Sequence, residues 1–121
     1  MPEPLDSYRD LLAWQKAVDL VVATYELTCC FPDDERYGLT AQIRRAVVSI
    51  PSNIAEGYGR QHRGDYVRHL SIANGSLKEV ETQLIVAGRL GYVTKEQAAN
   101  VWGLTQETGK LLWRLMRSLD S

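Results

Sequence analysis

The segment that most limits the fold of this chain is residues 38–57, which has helical periodicity and yet contains Pro51. Apolar side chains recur there every three or four positions, as on the buried face of a helix. The apolar face comprises Leu39, Ile43, Val47, Ile50 and Ile54, and a narrow polar stripe comprises Gln42, Arg45, Ser49, Ser52, Asn53 and Glu56. The remaining arc is apolar apart from Arg44. We therefore expect this helix to lie between its own bundle and a second protein surface.

Pro51 is a local defect in this helix. Proline lacks a backbone N–H and crowds the preceding turn, which costs about 3 kcal/mol inside a regular helix. The chain therefore either kinks at Pro51 or ends one helix and begins another there. A kink could be purely local, with the Ser49 or Ser52 hydroxyl satisfying the freed backbone. It could instead be a functional bend that exposes Ser52, Asn53 and Glu56, and both interpretations stay open.

The same segment carries a resemblance to a known family. Its motifs are RYGLT at residues 36–40, QIRRA at 42–46 and SIPSNIAEG at 49–57, extended by residues 12–17, 31–32 and 75–83. The chain resembles the four-helix-bundle proteins encoded in intervening sequences of bacterial 23S ribosomal RNA, a family that includes the accessory variability protein of diversity-generating retroelements. The resemblance implies a four-helix protomer that assembles into a ring, with a homopentamer as the expected form. The family is largely uncharacterised, and nucleic-acid binding is its usual proposed role.

The rest of the chain adds three amphipathic helices. We predict helices over about 11–27, 38–57, 65–90 and 95–119, in one all-α domain spanning residues 1–121. The last two helices have seams that alternate steps of three and four: Tyr66, Leu70, Ala73, Leu77, Val80, Leu84 and Ala87, then Ala98, Val101, Thr105, Thr108, Leu112, Leu115 and Leu119. Short connections between such helices predict an antiparallel four-helix bundle. The longer connection 29–37 could cross diagonally, so the helix order stays open.

Several residues are predicted to begin, end or interrupt these helices. Asp10 is the expected cap of the first helix, and Thr94 with Gln97 fits a capping box that begins the fourth. Gly91 is expected to end the third helix, and Gly75 either permits a close helix contact or breaks that helix. The buried stripe predicted for the first helix is Leu11, Trp14, Val18, Val21 and Tyr25, widened by Ala17, Leu20 and Val22.

Composition excludes several classes of protein. With 45% hydrophobic and 24% charged residues, the 121-residue chain has the composition of a single globular domain. No apolar run reaches the roughly 18 residues of a membrane span. The start, Met-Pro-Glu-Pro, lacks the basic and apolar parts of a secretion signal. We therefore expect a cytoplasmic protein that has no membrane partner.

Charge is unevenly distributed, although the net charge is only −1. Residues 1–35 carry eight acids against two basic residues, whereas residues 36–68 carry six arginines against two acids. Arginine forms planar, bidentate contacts with phosphate and carboxylate groups. The predicted contacts with a nucleic acid or another partner are therefore Arg45, Asn53, Arg60, Arg63 and Arg68. Alternatively, these arginines pair with the acidic first third, within one protomer or across an interface.

The sequence contains no recognisable set of catalytic or metal-binding residues. His62 and His69 are two helical turns apart, too far to share a metal ion, and we expect both at the surface or at a helix cap. The adjacent Cys29 and Cys30 would form only a strained disulfide, and we expect them to close the first helix as small apolar side chains. Nucleophile-elbow, phosphate-loop and Glu-x-x-His patterns are absent. We predict no enzyme activity, no cofactor and no metal.

These observations lead to one functional hypothesis and one alternative. Val48, Ala55 and Trp113 lie off the predicted seams, and such surplus apolar surface favours self-association. The leading hypothesis is a non-enzymatic, ring-forming binding protein that contacts RNA or DNA through arginines repeated around the oligomer. The alternative is a scaffold or adaptor for another protein, without nucleic-acid binding.

Overall fold

The computed structural model of the 121-residue chain describes residues 7–120. Its long helices are α1 (Leu12–Thr28), α2 (Leu39–Tyr58), α3 (Arg63–Arg89) and α4 (Lys95–Ser118). Short 3-10 turns at Tyr8–Asp10 and Asp33–Glu35 precede α1 and α2. The first residues, where we predict that a secretion signal is absent, lie outside the described range. Within residues 7–120, no helix is both long and apolar enough to cross a membrane.

The order of the helices around the bundle is sequential. Each helix packs against its neighbours in the chain and α4 packs against α1, whereas the described parts of α1 and α3, or of α2 and α4, do not meet. The α2–α3 pair is antiparallel, because Ser49 contacts Ser76 while Asn53, later in α2, contacts His69, earlier in α3. The predicted antiparallel four-helix bundle is therefore confirmed, and its helices follow one another without a diagonal crossing.

Pro51 does not divide α2, which runs without interruption from Leu39 to Tyr58. The proline ring is buried in the bundle. Ser52 is exposed, and the Ser49 hydroxyl lies 2.6 Å from that of Ser76 in α3. The side chain that bonds the α2 backbone here belongs to Asn53, whose amide donates to the Ser49 carbonyl oxygen at 2.9 Å. Packing of Pro51 against the core compensates for its missing backbone hydrogen bond.

The seams predicted for α3 and α4 form the core. α3 continues unbroken through Gly75. The fully or almost fully buried side chains include Ile43, Val47, Ile50, Ile54, Leu70, Ala73, Leu77, Val80, Leu84, Ala87, Val101, Thr105, Thr108 and Leu112. Alternating steps of three and four therefore identified the buried faces of three helices correctly.

The stripe predicted for α1 is only partly correct: Leu11, Ala17 and Leu20 are buried as expected, but the rest of the stripe is not. Its buried face consists of Ala13, Ala17, Leu20, Thr24 and Leu27. Trp14, Val18 and Val21 are only partly buried, and Tyr25 is exposed. The observed stripe mixes small and large residues, and its small members Ala13 and Ala17 allow neighbouring helices to approach α1 closely.

Two of the three predicted helix signals are confirmed. The Gln97 N–H donates to the Thr94 hydroxyl at 3.1 Å, and the Thr94 N–H donates to the Gln97 side chain at 2.8 Å. Gly91 follows α3 with a φ of 77°, the left-handed conformation that favours glycine at this position. Asp10 is not the cap of α1. Its carboxylate accepts a hydrogen bond from the Ser7 N–H in the preceding 3-10 turn.

Candidate functional site

Two helices approach closely near the end of the bundle where α2 turns into α3. A Cβ atom added at Gly57 would lie 2.8 Å from the His69 Cβ and 3.0 Å from a ring carbon of Tyr66. No real Cβ makes a contact as short as the first. Glycine therefore permits this close crossing, because a side chain at position 57 would force α2 and α3 apart.

A chain of polar side chains crosses the α2–α3 contact. The Asn53 side-chain N–H group donates to the Ser49 carbonyl, which directs its Oδ1 atom towards His69. The His69 Nδ1 lies 3.0 Å from that oxygen, so Nδ1 carries the proton and donates. The other ring nitrogen, Nε2, is buried without a hydrogen-bond partner in the described structure. These bonds hold α2 and α3 at a defined distance.

The prediction that His69 lies at the surface or at a helix cap is wrong, because the residue is only 6% exposed. His69, Ser76 and Gln83 recur every seven residues along one edge of the α3 seam. His69 and Ser76 lie within hydrogen-bond distance of α2 side chains, and Gln83, seven residues after Ser76, is also buried. This polar heptad repeat is the signal that could have placed His69 inside. His62, by contrast, is exposed at the start of α3.

Two tyrosine rings cover the end of this seam. The Tyr58 and Tyr66 rings meet edge to face, with centroids 6.1 Å apart. Burial, assisted by the neighbouring Tyr58, raises the pKa of Tyr66 to about 12. The Tyr66 hydroxyl is therefore neutral at physiological pH.

Three exposed arginines lie near the same end of the protomer. Arg60 follows α2, Arg63 begins α3 and Arg68 lies further along it, all three exposed. An Arg60 nitrogen lies 3.2 Å from a Glu56 carboxylate oxygen. Arg45 is also exposed, but it lies roughly four turns, or about 20 Å, before Arg60 along α2.

The five predicted contact residues therefore divide into three groups. Arg60, Arg63 and Arg68 lie at one end of the bundle, and Arg45 lies apart from them. The side-chain amide of Asn53 is engaged in the α2–α3 contact. Asn53 consequently holds two helices together in this structure.

The region between the end of α1 and the start of α2 differs from expectation. Arg44 donates from Nε to the Thr28 hydroxyl at 2.9 Å, and its guanidinium lies 4.6 Å from the centre of the Tyr25 ring. Cys29 and Cys30 follow the end of α1 as predicted, with Cys29 as its C-cap, but they are exposed free thiols and not packed apolar side chains. The buried apolar side chain next to them is Phe31, with 6% exposure. Arg44 is thus engaged within its own protomer.

The residues that the structure describes include no group of three His, Cys, Asp or Glu side chains arranged to hold a metal ion. The partly buried polar chain of the α2–α3 contact contains a histidine, an asparagine and two serines. Its members bond to one another across the helix interface. Their geometry accounts for helix pairing.

Comparison with known proteins decides the family. A family model described as 23S rRNA-intervening sequence protein matches residues 9–114. The chain belongs to this family. Its fold is similar to the crystal structure of a protein of unknown function from the S23 ribosomal protein family of Bacteroides thetaiotaomicron VPI-5482, with 27% sequence identity and a TM-score of 0.78. That match covers 87% of this chain and 98% of the other chain.

No curated protein matches the chain. The family and the solved relative indicate no catalytic class, and the relative is itself described as having unknown function. Membership of the 23S rRNA-intervening sequence protein family therefore accounts for the four-helix fold and leaves the activity to be inferred from the surface.

Proposed function

We propose that this chain is a non-enzymatic protein that assembles into a ring, with a homopentamer as the expected form, and binds RNA or DNA through arginines repeated around that ring. The observation that carries the proposal is the grouping of Arg60, Arg63 and Arg68 at one end of the protomer. Guanidinium groups favour phosphate contacts because they donate in a planar, bidentate arrangement.

Ring assembly supplies the positive electrostatic potential that one protomer lacks. A single chain has a net charge of −1, and Glu56 and Asp65 lie among the three arginines. Symmetry would repeat the basic end once per subunit and bring several copies of it together. A local positive potential then attracts phosphates even though each protomer is slightly acidic overall.

Gel-shift titrations with a structured RNA and a DNA duplex test the proposal. We expect binding at 50 mM salt that weakens by about 10³-fold at 200 mM salt if six or more phosphates are contacted. Arg68→Glu should weaken binding by tenfold or more, and Arg60→Glu combined with Arg63→Glu should abolish it. Arg36→Glu is the matched control, because it makes the same charge reversal at the opposite end of the bundle.

The alternative is a protein scaffold without nucleic-acid binding. The observation that favours it is the engagement of Arg44 between α1 and α2, since it uses one of the central arginines inside the protomer. If the unmodified protein and the Arg60→Glu/Arg63→Glu variant bind both nucleic acids equally poorly at low salt, the nucleic-acid proposal is wrong. The scaffold is then the function that the surface supports.

A further inference from the structure

One face of the α3–α4 pair is unusually apolar for an outer surface. An apolar groove of about 770 Å³ runs between the two helices, bordered by Ile85 and Trp102, which are 49% and 40% exposed. Trp113 is 59% exposed and lies three turns further along the same side of α4. We call Ile85, Trp102 and Trp113 the tryptophan face. Partly exposed tryptophans on one surface are typical of protein–protein contacts.

The tryptophan face has a basic border. Arg89 and Lys95 line the groove beside Trp102. Lys110 and Arg114, together with Trp113, line a shallower cavity of about 520 Å³ further along α4. An acidic residue in that cavity, Glu81, lies 3.5 Å from Lys78. A partner for this face should therefore be apolar and acidic.

The outer side of α1 has that chemistry. Leu12 and Val22 are 65% and 54% exposed, and Asp19 and Glu26 are exposed between and beyond them. These four residues, which we call the α1 stripe, lie within an arc of about 80° on the helix. The stripe therefore presents two apolar and two acidic side chains to the outside of the bundle.

The two surfaces match along the length of the bundle. Lys16 in α1 lies 3.1 Å from Glu107 in α4, which aligns the two helices at that height. Positions along the bundle axis can be counted from this ion pair at about 1.5 Å per residue, because α1 and α4 run antiparallel. Leu12 then lies level with Trp113, Val22 with Trp102 and Glu26 with Lys95, each to within about 3 Å along the axis.

From this match we infer that the α1 stripe of one copy docks on the tryptophan face of the next copy, and that this contact closes the ring. The inference rests on the proposed ring and names the surfaces that form it. If the ring axis runs parallel to the bundle, neighbouring copies are not shifted along that axis. Leu12 and Val22 of one copy then face Trp113 and Trp102 of the next, and Glu26 faces Lys95. The two surfaces differ and lie on separate sides of the protomer, as a head-to-tail interface requires.

Two complementary variants test the contact by light scattering at micromolar concentration. The stripe variant carries Leu12→Asp and Val22→Asp, and the face variant carries Trp102→Asp and Trp113→Asp. We expect a mass several times 13.7 kDa for the unmodified protein and a monomer for each variant alone. An equimolar mixture should give a one-to-one dimer, because it retains one functional stripe and one functional face.

Controls separate failure of the contact from failure of the fold. Circular dichroism should show unchanged helix content in both variants, and Tyr37→Asp, at a residue 89% exposed, should keep the mass of the unmodified protein. If either variant loses helix content, the single charge reversals Glu26→Lys and Lys95→Glu are tested in place of the stripe and face variants. Each reversal alone should weaken assembly by tenfold or more, and both reversals in one chain should restore it.

The outcomes distinguish the two proposals. A monomeric unmodified protein overturns the ring and the contact together. An assembled protein whose folded variants still assemble, or whose monomeric variants form no dimer on mixing, leaves the ring intact and overturns this contact. Reversals at Glu26 and Lys95 that do not rescue one another overturn it as well.

Discussion

Helix α3 has two contrasting sides. Towards α2 it is tightly packed: Gly57 admits the backbone of α3, and hydrogen bonds join Ser49 to Ser76 and Asn53 to His69. Towards α4 it leaves an outer groove with Trp102 half exposed. The first side joins polar side chains of the two helices within the protomer, whereas the second leaves apolar surface uncovered. The contrast separates residues that determine the fold from residues available for assembly.

The largest expected effect comes from changing Gly57 to alanine. The new Cβ would lie 2.8 Å from the His69 Cβ and 3.3 Å from the Tyr66 backbone oxygen, so the helices must move apart. We expect a loss of about 2 kcal/mol in the free energy of unfolding, measured by urea denaturation. Gly103→Ala in α4 is the control, because its new Cβ would have no atom within 4 Å apart from the adjacent backbone of its own helix.

The control should stabilise the protein by about 1 kcal/mol, since alanine favours a helix more than glycine does. Opposite signs at two helical glycines would support the contrast between the two sides of α3. Equal effects at Gly57 and Gly103 would mean that the α2–α3 contact tolerates an extra methyl group, and the proposed close packing would be wrong.

The second prediction concerns the coupling between Asn53 and His69. Removing either side chain leaves a partly buried polar group of the other without a partner, which costs about 2 kcal/mol. Asn53→Ala and His69→Ala should therefore be non-additive by about 1 kcal/mol in a double-mutant cycle. The exposed pair Lys78 and Glu81, with atoms 3.5 Å apart, is the matched control and should couple by about 0.5 kcal/mol or less. Additive effects at Asn53 and His69 would refute the buried hydrogen bond.

Periodicity alone predicted much of this fold. The buried faces of α2, α3 and α4 follow steps of three and four, and the capping box at Thr94 and Gln97 marks the start of α4. Periodicity succeeded only in part in α1, where the unpredicted Ala13 is buried and the larger Tyr25, predicted to be buried, is exposed. Side-chain size therefore misled the assignment where close packing favoured small residues.

The site was harder to predict because it depends on tertiary contacts. The arginines and the length of the helix that separates Arg45 from Arg60 can be read from the sequence, but how α2 and α3 pack against each other cannot. Likewise, Asn53 resembles a surface residue in a polar stripe until α3 places His69 opposite it. The helical pattern determines which face is polar, and the neighbouring helix determines what that face contacts.

At the end of the bundle away from Gly57, the carboxylate of Glu35 joins the start of α2 to the turn between α3 and α4. Glu35 accepts a hydrogen bond from the Leu39 N–H at 2.9 Å through one oxygen and from the Tyr92 hydroxyl at 2.7 Å through the other. The Leu39 bond, followed by the Tyr92 bond, lowers the pKa of Glu35 from its ordinary value of 4.5, although desolvation opposes them. The bond to Glu35 in turn raises the pKa of Tyr92.

The smallest expected effect is the pH dependence of this connection. Because folding lowers the pKa of Glu35, its stabilisation is complete well above 4.5 and is lost as the pH falls through the lowered value. Glu35→Gln should thus be less stable than the unmodified protein near pH 7, and the difference should shrink in acid, measured by urea unfolding between pH 7 and pH 3. Tyr92→Phe removes one of the two bonds and should give a smaller difference with the same trend. A difference that stayed constant down to pH 3 would show that the ionised carboxylate does not hold α2 to the α3–α4 turn.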